Sequence, residues 1–564
     1  MNNELYEELS VERKKLQEDG LLPDWYTTGG WQLLKNKYLV EGESPKERYQ
    51  NIAKHAAKHM PNSKYWEDKF FDAMWKGWLS PSTPVLANMG TDRGMSVSCS
   101  GQTVGDSVYE FYVNQLESAV LSQNGFGTSA YLGDIRPRGA DISKGGKASG
   151  VLPVLKDFVQ LSNDISQGNQ RRGSWAGYLP VDHGDFYEVA DYLFHHPDSV
   201  NIGWVFTEDF KKRLDKGDED AIKRYQRVLR IRSILGKGYI FKQWVADEFN
   251  APMFKDIGMR VKASNLCQEV NLPADENHTF TCVLSSLNLY KYDEWKNIDL
   301  INTSVVFLDC IAEEFIQQGK TIRGMEKSVR FTEKARALGL GVLGLHSLFQ
   351  KRGISFESFA AHQLNTEIFK KIKEETTQAS QWLAKELGEP EWCKGHGVRN
   401  TNLTAIAPTM STALICGGVS QGIEPIVMNV FNQTTAGGEV YRISQELIVK
   451  MKERNVYNHE TIKDIERNQG SVQHVFWLND DEKQVFKTAF EIDQRAILRM
   501  ASVRQRYLTQ GQSLNLFFSS EESEQYISEI TQEAIEDPYI IGLYYQRSMS
   551  GVKATRGECV ACEG

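Results

Sequence analysis

The stretch of residues 264–272 carries an amide, a thiol and a carboxylate at alternate positions, namely Asn265, Cys267 and Glu269. If this stretch is extended, the three side chains project from one face, with neighbours about 6 to 7 Å apart. Such a pocket could bind a hydroxylated substrate, attack it or abstract from it, and move a proton. A strand with one buried cysteine remains the alternative, since cysteine is commonly buried.

Two cysteines at the end of the chain, Cys559 and Cys562, have the C-x-x-C spacing that is typical of thiol exchange. The polar, Gly-containing residues before them have little to bury, so residues 548–564 are predicted to form a mobile tail. A zinc site would need two more ligands, and none lies close in the sequence. The pattern favours a carrier of reducing equivalents over a metal clip or an accidental pair.

Cys99 and Cys282 each lie beside small hydroxyl residues. If both face one pocket, they form a dithiol that the tail could re-reduce; two unrelated buried cysteines are the alternative. Adjacent Tyr544 and Tyr545 are either core aromatics or stacked residues that can be oxidised, and their spacing does not decide between the two. The remaining cysteines are interpreted as packing residues: Cys310, Cys393 and Cys416.

Several segments have the composition of a phosphate-binding loop. Gly-bearing runs at 121–128 and 135–147, and a polar, cationic run at 166–173, combine backbone freedom with nearby Arg or Lys. None matches a P-loop or a Rossmann fingerprint, so ordinary surface turns are equally compatible. In residues 407–413, hydroxyls and amides stand where a helix could begin, which suits a phosphate or a plain N-cap.

Length and composition restrict the class of protein. The 564 residues are 41% hydrophobic and 25% charged, which is typical of a soluble globular chain with a large core. The formal charge of -9 argues against a protein that coats nucleic acid. Since no apolar run is long enough to span a membrane and the first residues do not resemble a secretory signal, a cytoplasmic protein with reduced cysteines is predicted.

Hydrophobic periodicity predicts the elements that position these residues. Amphipathic helical patterns fill residues 1–79, which are interpreted as an N-terminal helical domain. After a break at 80–84, short β-rich runs alternate with helical patterns to about residue 440, which predicts an α/β body with a partly parallel sheet. Charged helices are predicted at 205–230 and 361–387, and helix is expected to dominate after residue 440.

Together these stretches resemble the large, catalytic subunits of class I ribonucleotide reductases over nearly the whole chain. The resemblance rests on the order and combination of its motifs, which are Asn265 to Glu269, the Cys99 and Cys282 sites, Gly422-Ile423-Glu424-Pro425, Leu543-Tyr544-Tyr545 and the terminal C-x-x-C. It implies an α/β fold in which a ten-stranded barrel occupies residues 80–547. Two parallel five-stranded halves would pack antiparallel around a finger loop, after the helical domain of residues 1–79 and before a redox-active tail at 548–564.

The resemblance also implies how the barrel would act on a ribonucleoside diphosphate. Cys267 would become a thiyl radical that takes the 3′ hydrogen, Glu269 would act as base on the 3′ hydroxyl, and Asn265 would hold the substrate. Cys99 and Cys282 would supply two electrons as the 2′ hydroxyl leaves as water, and would become a disulfide.

Two partners follow from the same resemblance. The tail thiols Cys559 and Cys562 would reduce the internal disulfide and be regenerated by a thioredoxin or glutaredoxin. Tyr544 and Tyr545 would relay the radical from the metal centre of a separate small subunit. No metal and no permanently bound cofactor are expected in this chain.

Further residues resemble the family's nucleotide sites. The diphosphate-binding region is matched by Thr83, Ser98, Pro408, Thr409, Met410, Ser411 and Thr412, with Met410 standing in what is usually a serine-rich run. The specificity site, where deoxynucleoside triphosphates or ATP would bind at a homodimer interface, is matched by Asp106, Arg136, Gln167 and Arg171. Coupling of the two nucleotide sites would be reciprocal.

One departure from the family pattern is that only a short helix precedes Leu22, where an ATP-cone domain often stands. We therefore expect specificity control without strong inhibition by dATP. A catalytically silent nucleotide-binding relative is a competing interpretation, although it would be expected to lose Cys267, Glu269 or the tail dithiol. A thiol oxidoreductase unrelated to nucleotides would explain the tail but not the other motifs.

Overall fold

The computed structural model describes residues 3–167, 171–172, 174–435 and 438–548. The chain opens with helices α1 (Asn3–Glu18), α2 (Thr28–Lys37), α3 (Pro45–Ala57) and α4 (Ser63–Trp75). Helix α3 begins in a capping box, in which Ser44 and Glu47 each accept a hydrogen bond from the other's backbone N–H. Phe70 of α4 packs edge-on against Phe307, so these helices share an apolar core with the rest of the chain.

The strands lie mainly between residues 79 and 343, with further short strands near the C-terminus. They are β1 (Leu79–Pro81), β2 (Cys99–Thr103), β3 (Gly127–Tyr131), β4 (Ser166–Gln167), β5 (Arg171–Arg172), β6 (Ser174–Pro180), β7 (Asn201–Phe206), β8 (Tyr239–Lys242), β9 (Phe280–Asn288), β10 (Leu338–Leu343), β11 (Val430–Thr435), β12 (Gly438–Ile443), β13 (Leu516–Phe518), β14 (Gly542–Leu543) and β15 (Gln546–Ser548).

Helices connect these strands and cover the sheet. They are α5 (Thr83–Asn88), α6 (Val108–Gln123), α7 (Val151–Asp164), α8 (Phe186–His195), α9 (Glu208–Asp215), α10 (Glu219–Leu235), α11 (Gln243–Glu248), α12 (Pro252–Asp256), α13 (Tyr292–Trp295), α14 (Leu300–Gly319), α15 (Glu326–Ala335), α16 (Leu345–Lys351), α17 (Phe359–Leu387), α18 (Met410–Ile415), α19 (Gln445–Glu453), α20 (His459–Arg467), α21 (Asp480–Val485), α22 (Gln494–Gln505) and α23 (Glu524–Glu536). Short 3-10 helices span Leu289–Lys291 and Glu391–Cys393.

Five parallel strands form one half of a barrel, in the order β2, β3, β6, β7 and β8. Helices α6 to α10 supply the crossovers that parallel strands require. Strand β2 then pairs antiparallel with β9, and β8 pairs antiparallel with β14. These antiparallel contacts are where the two halves meet.

The second half is less regular. Strand β9 pairs parallel with β10, β10 is bridged in parallel at Thr404, Ile406 is bridged in parallel to Gln512, and β13 pairs parallel with β15. The Tyr544 N–H donates to Leu514 O at 2.8 Å. This hydrogen bond joins the second half to the segment that follows β14, and so closes the barrel, because β14 pairs with β8. The predicted barrel of two parallel five-membered halves joined antiparallel is therefore confirmed.

One expectation about the elements needs correction. The segment 205–230 is not one helix, because β7 runs to Phe206 and a turn at 216–218 separates α9 from α10. After residue 440 helices do dominate, but they follow the antiparallel hairpin of β11 and β12, which carries a small apolar cluster of its own with α19, α20 and α21. Helix α17 matches the expected 361–387 closely.

Candidate active site

The finger loop, residues 264–272, lies buried inside the barrel but is not extended. Asn265 N–H donates to Val270 O at 3.2 Å and Gln268 N–H donates to Asn265 O at 3.3 Å, so the chain turns back on itself. Gln268 has a φ of 69°, in the left-handed region. The expectation that strand alternation aligns Asn265, Cys267 and Glu269 is therefore wrong; a tight turn places them in one buried loop.

Hydrogen-bond donors from both halves of the barrel hold the backbone of the finger loop. Each contact satisfies a buried carbonyl that the turn leaves without a strand partner. The donors are Tyr178 Oη to Asn265 O (2.6 Å), Ser129 Oγ to Ser264 O (2.8 Å), Ser513 Oγ to Cys267 O (2.5 Å) and Gly511 N to Glu269 O (2.9 Å). The loop is thus fixed by the sheet on one side and by residues 511–513 on the other.

Two glycines allow the finger loop to approach the surrounding backbone. A Cβ at Gly511 would lie 2.2 Å from Asn271 Nδ2, and a Cβ at Gly542 would lie 2.5 Å from Ile240 O and 3.1 Å from Gln268 Nε2. A side chain at Gly511 would therefore displace Asn271 of the loop, and one at Gly542 would displace the backbone of β8.

Glu269 is fully buried, and burial raises the pKa of its carboxyl group to about 7. Its own backbone N–H and the neighbouring Asn265 and Ser513 side chains partly oppose that increase. Asn265 Oδ1 accepts from Val270 N at 3.1 Å, whereas its buried Nδ2 forms no standard hydrogen bond within the described ranges. A carboxyl poised near neutrality thus stands beside an amide donor that a polar ligand could satisfy.

Cys99 on β2 lies directly opposite Cys282 on β9 at the antiparallel join between the halves. Residues opposite each other in such a pair have Cα atoms about 4.5 to 5.5 Å apart, which suits a disulfide. Both are thiols here. Burial, with a smaller contribution from the charge of Glu269, raises the pKa of Cys282 to about 12, so this thiol is protonated near neutral pH.

Tyr544 and Tyr545 are buried with their ring centroids 4.2 Å apart. The ring of Tyr239 on β8 lies 4.7 Å from Tyr544 and 5.5 Å from Tyr545, with its hydroxyl 3.4 Å from the Tyr545 hydroxyl. These three tyrosines belong to the same buried cluster as Cys267. Sequence analysis found the adjacent pair and missed Tyr239, which joins it only through the β8–β14 contact.

The Gly422–Pro425 motif reaches the tyrosine pair through one amide. Asn515 accepts from Tyr545 N–H at 2.9 Å and donates to Glu424 Oε1 at 2.6 Å. Burial raises the pKa of Glu424 to about 7, while Arg547 and Asn515 oppose the increase. The Arg547 guanidinium lies 4.4 Å from the centroid of the Tyr545 ring.

The residues expected to bind diphosphate occupy helix starts and a strand end. Helix α18 begins at Met410, but the Thr409 hydroxyl accepts from Gly422 N–H at 2.7 Å instead of capping it. Ser411 Oγ is buried with no hydrogen-bond partner among the described residues. Thr83 is the first residue of α5, and Ser98 Oγ lies 3.8 Å from Cys99 Sγ.

The residues expected at the effector site fall into two groups. Arg136 Nε donates to Asp106 Oδ2 at 2.5 Å, just before helix α6, so these two are in contact. The backbones of Gln167 and Arg171 pair in the small β4–β5 sheet, and their side chains lie outside the described structure. The tail cysteines Cys559 and Cys562 also lie outside the described residues.

Among the described residues, no group of three or more His, Cys, Asp or Glu side chains is arranged to hold a metal ion. No described helix combines the length and apolarity needed to cross a membrane.

Sequence analysis missed the segment 509–515, which supplies contacts to the finger loop, Cys282 and Tyr545. Its polar residues Gln510, Gln512, Ser513 and Asn515 are all buried. A run of uncharged polar residues between the helical pattern before it and the apolar Leu516-Phe517-Phe518 is the one local signal, and it does not indicate which site the run contacts.

Comparisons with known proteins agree with this geometry. Residues 97–225, 208–395 and 390–545 match the model described as ribonucleotide reductase, barrel domain, and residues 24–94 match ribonucleotide reductase, all-alpha domain. The chain is 32% identical over 531 residues to a protein of Frog virus 3 (isolate Goorha) named putative ribonucleoside-diphosphate reductase large subunit, covering 88% of this chain and 92% of the relative.

A second relative, the ribonucleoside-diphosphate reductase large subunit of Invertebrate iridescent virus 3, is 28% identical and covers 95% of this chain and 98% of its own length. The solved structure of the Actinobacillus ureae class Id ribonucleotide reductase alpha subunit superposes with a TM-score of 0.87 at 37% identity, covering 93% of this chain and 98% of that one. Both the all-alpha and barrel parts match, and thus the chain belongs to the ribonucleotide reductase family, among its large subunits.

Proposed function

We propose that the protein reduces ribonucleoside diphosphates to 2′-deoxyribonucleoside diphosphates by thiyl-radical chemistry. The observation that carries this proposal is the placement of Cys99 directly opposite Cys282, with Gln510 contacting both Cys282 and the finger loop that bears Cys267 and Glu269. A dithiol and a radical-forming thiol around a buried base are the groups that this reduction needs. The names of the relatives support the same substrate class.

The reaction would begin when Cys267 loses a hydrogen atom towards the tyrosine cluster. The resulting thiyl radical takes the hydrogen from C3′, and Glu269 accepts the proton of the 3′ hydroxyl. The 2′ hydroxyl then leaves as water after protonation. Cys99 and Cys282 together give two electrons and two protons, their sulfurs form a disulfide, and Cys267 returns the hydrogen atom to C3′. The sum is one ribonucleotide and two thiols converted to one deoxyribonucleotide, one disulfide and water.

The environment of Glu269 suits this step, because a pKa of about 7 lets the group accept a proton and give it up at neutral pH. Burial of the finger loop excludes water, which shields a radical from side reactions. Ser411 Oγ, which has no hydrogen-bond partner among the described residues, is a buried donor that a phosphate would satisfy. Thr83, Ser98 and residues 408–412 complete the proposed substrate site.

A radical must enter from a separate small subunit that carries a metal centre. Gln546, Arg547 and Ser548 directly follow Tyr545, and their side chains are only partly buried. This supports entry of the radical past Arg547 to Tyr545, Tyr544 and Cys267. The tail dithiol Cys559 and Cys562 would re-reduce Cys99 and Cys282 and be regenerated by a thioredoxin or glutaredoxin.

We also propose a homodimer with effector sites at its interface. Helix α6 exposes Val108, Tyr109, Tyr112 and Leu116, each more than half accessible, along one helical stripe. The stripe borders a cleft of about 410 Å³ and starts beside the Asp106–Arg136 pair. A second copy of the chain would bury it, bringing a deoxynucleoside triphosphate or ATP near Asp106, Arg136, Gln167 and Arg171.

The decisive experiment mixes the protein with its small subunit, a dithiol reductant and a ribonucleoside diphosphate, and measures deoxynucleotide yield. Cys267→Ser should give no product, because an alcohol does not form the required radical. Cys310→Ser is the matched control, since Cys310 is a buried cysteine on α14 away from the finger loop, and it should retain activity. Equal yields from the wild type and Cys267→Ser would refute the proposed mechanism.

A further inference from the structure

The side chain of Gln510 connects the Cys99/Cys282 pair to the finger loop. Its Nε2 donates to Cys282 Sγ at 3.4 Å and to Leu338 O at 2.9 Å, and its Oε1 accepts from Asn271 N–H at 3.2 Å. Gln510 is fully buried. One rigid amide therefore contacts the redox pair at one end and the loop that carries Glu269 at the other.

The backbone of Gln510 is itself held in place by a further hydrogen bond. Gln505 Nε2 donates to Gln510 O at 2.7 Å from helix α22. A Cβ at Gly339, next to Leu338, would lie 3.0 Å from Cys282 Sγ, which shows how closely β10 packs against the thiol. A movement of the Cys282 sulfur therefore changes its contact with Gln510.

Oxidation of the pair changes what the sulfur offers to Gln510. Two S–H bonds break, an S–S bond forms, and two electrons and two protons leave for the ribonucleotide. A disulfide sulfur is drawn towards its partner and is a poorer acceptor than a thiol or thiolate sulfur. The Gln510 amide then keeps Leu338 O as its acceptor and loses the second contact.

We propose that Gln510 is a positioning residue that links the oxidation state of Cys99 and Cys282 to the order of the finger loop. With the pair reduced, Gln510 holds both Cys282 and Asn271, so that Cys267 and Glu269 are set for reaction. With the pair oxidised, the Asn271 contact loosens, and Cys267 is not positioned to form a radical until electrons are again available. This inference rests on the proposed function, in which the pair is the electron donor.

The first test measures the redox equilibrium of the pair in the full chain. The protein is equilibrated in glutathione buffers of graded ratio, alkylated, and the Cys99 and Cys282 peptides are quantified by mass spectrometry. Gln510→Met should shift the equilibrium about fivefold towards the disulfide, because one net hydrogen bond to the reduced state is lost. That corresponds to a potential about 20 mV more negative.

A matched control is available at the start of helix α22. Gln494 is also fully buried; its Nε2 donates to Ala489 O and Ile492 O and its Oε1 accepts from Phe517 N–H, and none of these partners belongs to the thiol pair or the loop. Gln494→Met should leave the equilibrium of Cys99 and Cys282 unchanged. If the two methionine variants give the same equilibrium, the inference is overturned.

The second test begins with wild-type protein alone. Hydrogen exchange of the peptide that contains residues 264–272 is compared in wild-type protein with the pair reduced and with it oxidised. Exchange at Asn271 should be several-fold faster in the oxidised protein, and Gln510→Met should abolish that difference by making exchange fast in both states. Equal exchange in the two wild-type states would overturn the inference.

These outcomes separate the inference from the proposed function. If Cys99 and Cys282 form no disulfide in wild-type protein at any glutathione ratio, the proposed electron donor is wrong and the inference falls with it. If the disulfide forms but neither the equilibrium nor the exchange depends on Gln510, only the inference fails.

Discussion

Cys99 and Cys282 face each other across the antiparallel pairing of β2 and β9, at one of the contacts between the halves of the barrel. A disulfide there would link the halves without changing the strand register. Thiols at such a position can be oxidised and reduced while the barrel stays closed.

The first prediction concerns how this pair is recharged. Cys282→Ser should abolish turnover while the fold is retained, because no disulfide can form. Cys559→Ser should stop turnover after a few cycles when thioredoxin is the reductant, and dithiothreitol should restore much of the rate by reducing the pair directly. Product formed per protein chain, measured with each reductant, checks both results. Undiminished turnover of Cys559→Ser with thioredoxin would exclude a role for the tail.

The second prediction concerns Glu269, whose pKa is raised from 4.5 to about 7 by burial. The folded state binds the proton of the Glu269 carboxyl group more tightly than the unfolded state does. Protonation of Glu269 therefore contributes its full stabilisation of the fold below about pH 4.5, and this contribution is lost as pH rises through 7. Glu269→Gln removes this loss, because glutamine does not ionise. Above pH 8 the free energy of unfolding of the variant should therefore be on the order of 3 kcal/mol higher than that of the wild type. Urea unfolding of both proteins at pH 5 and pH 8 measures the difference.

The rate of the reaction should rise with pH as Glu269 ionises, whereas the stability of the fold falls. As a base on the 3′ hydroxyl, Glu269 must be ionised, so the rate should rise about tenfold per pH unit below 7 and level off above it.

The unfolding comparison has an internal control. Glu424 has a similarly raised pKa and is present in both the wild type and Glu269→Gln, so its contribution to the free energy of unfolding cancels in the comparison. A stability difference that does not change between pH 5 and pH 8 would contradict the assignment.

The third prediction concerns the tyrosine cluster. Tyr544→Phe and Tyr545→Phe preserve the contact between the two rings but remove the oxidisable hydroxyl, so each should abolish turnover without loss of stability beyond about 1 kcal/mol. Tyr292→Phe is a control at another buried tyrosine, whose hydroxyl donates to Glu367 instead. Deoxynucleotide yield and thermal unfolding of the three variants provide the comparison, and an active Tyr545→Phe protein would remove Tyr545 from the proposed relay.

The sequence motifs predicted which residues form the site, but they did not predict the backbone conformation that brings those residues together. Asn265, Cys267 and Glu269 were identified from their spacing, yet the alternation that suggested one face does not occur, because Gln268 adopts a left-handed conformation inside the barrel. That conformation depends on Gly511, Gly542 and Ser513, which lie more than 240 residues away in the chain. Local sequence carries no information about such distant contacts.

The two halves of the barrel also differ in how well the sequence predicts them. The first half is built from regular strands whose apolar runs are visible in sequence, such as Asn201–Phe206. In the second half, residues 403–406 and 511–514 join through isolated bridges and single backbone hydrogen bonds, so they have no strand pattern to read. Gln510 and Asn515 lie in this irregular part, which is why their contacts to Cys282 and Tyr545 appear only in the structure.

The last prediction concerns helix α6. Substitution of Leu116, which is 58% exposed in the single chain, by Glu would place a charge in the proposed dimer interface. Since burial of one leucine contributes about 1.5 to 3 kcal/mol, Leu116→Glu should weaken self-association at least about tenfold. Val11→Glu is the control, because Val11 is 68% exposed on α1 and lies outside the α6 stripe. Sedimentation velocity over a range of concentrations, with and without a deoxynucleoside triphosphate, measures both. If Leu116→Glu associates like the wild type, α6 is not the dimer interface, and the effector site must be completed elsewhere.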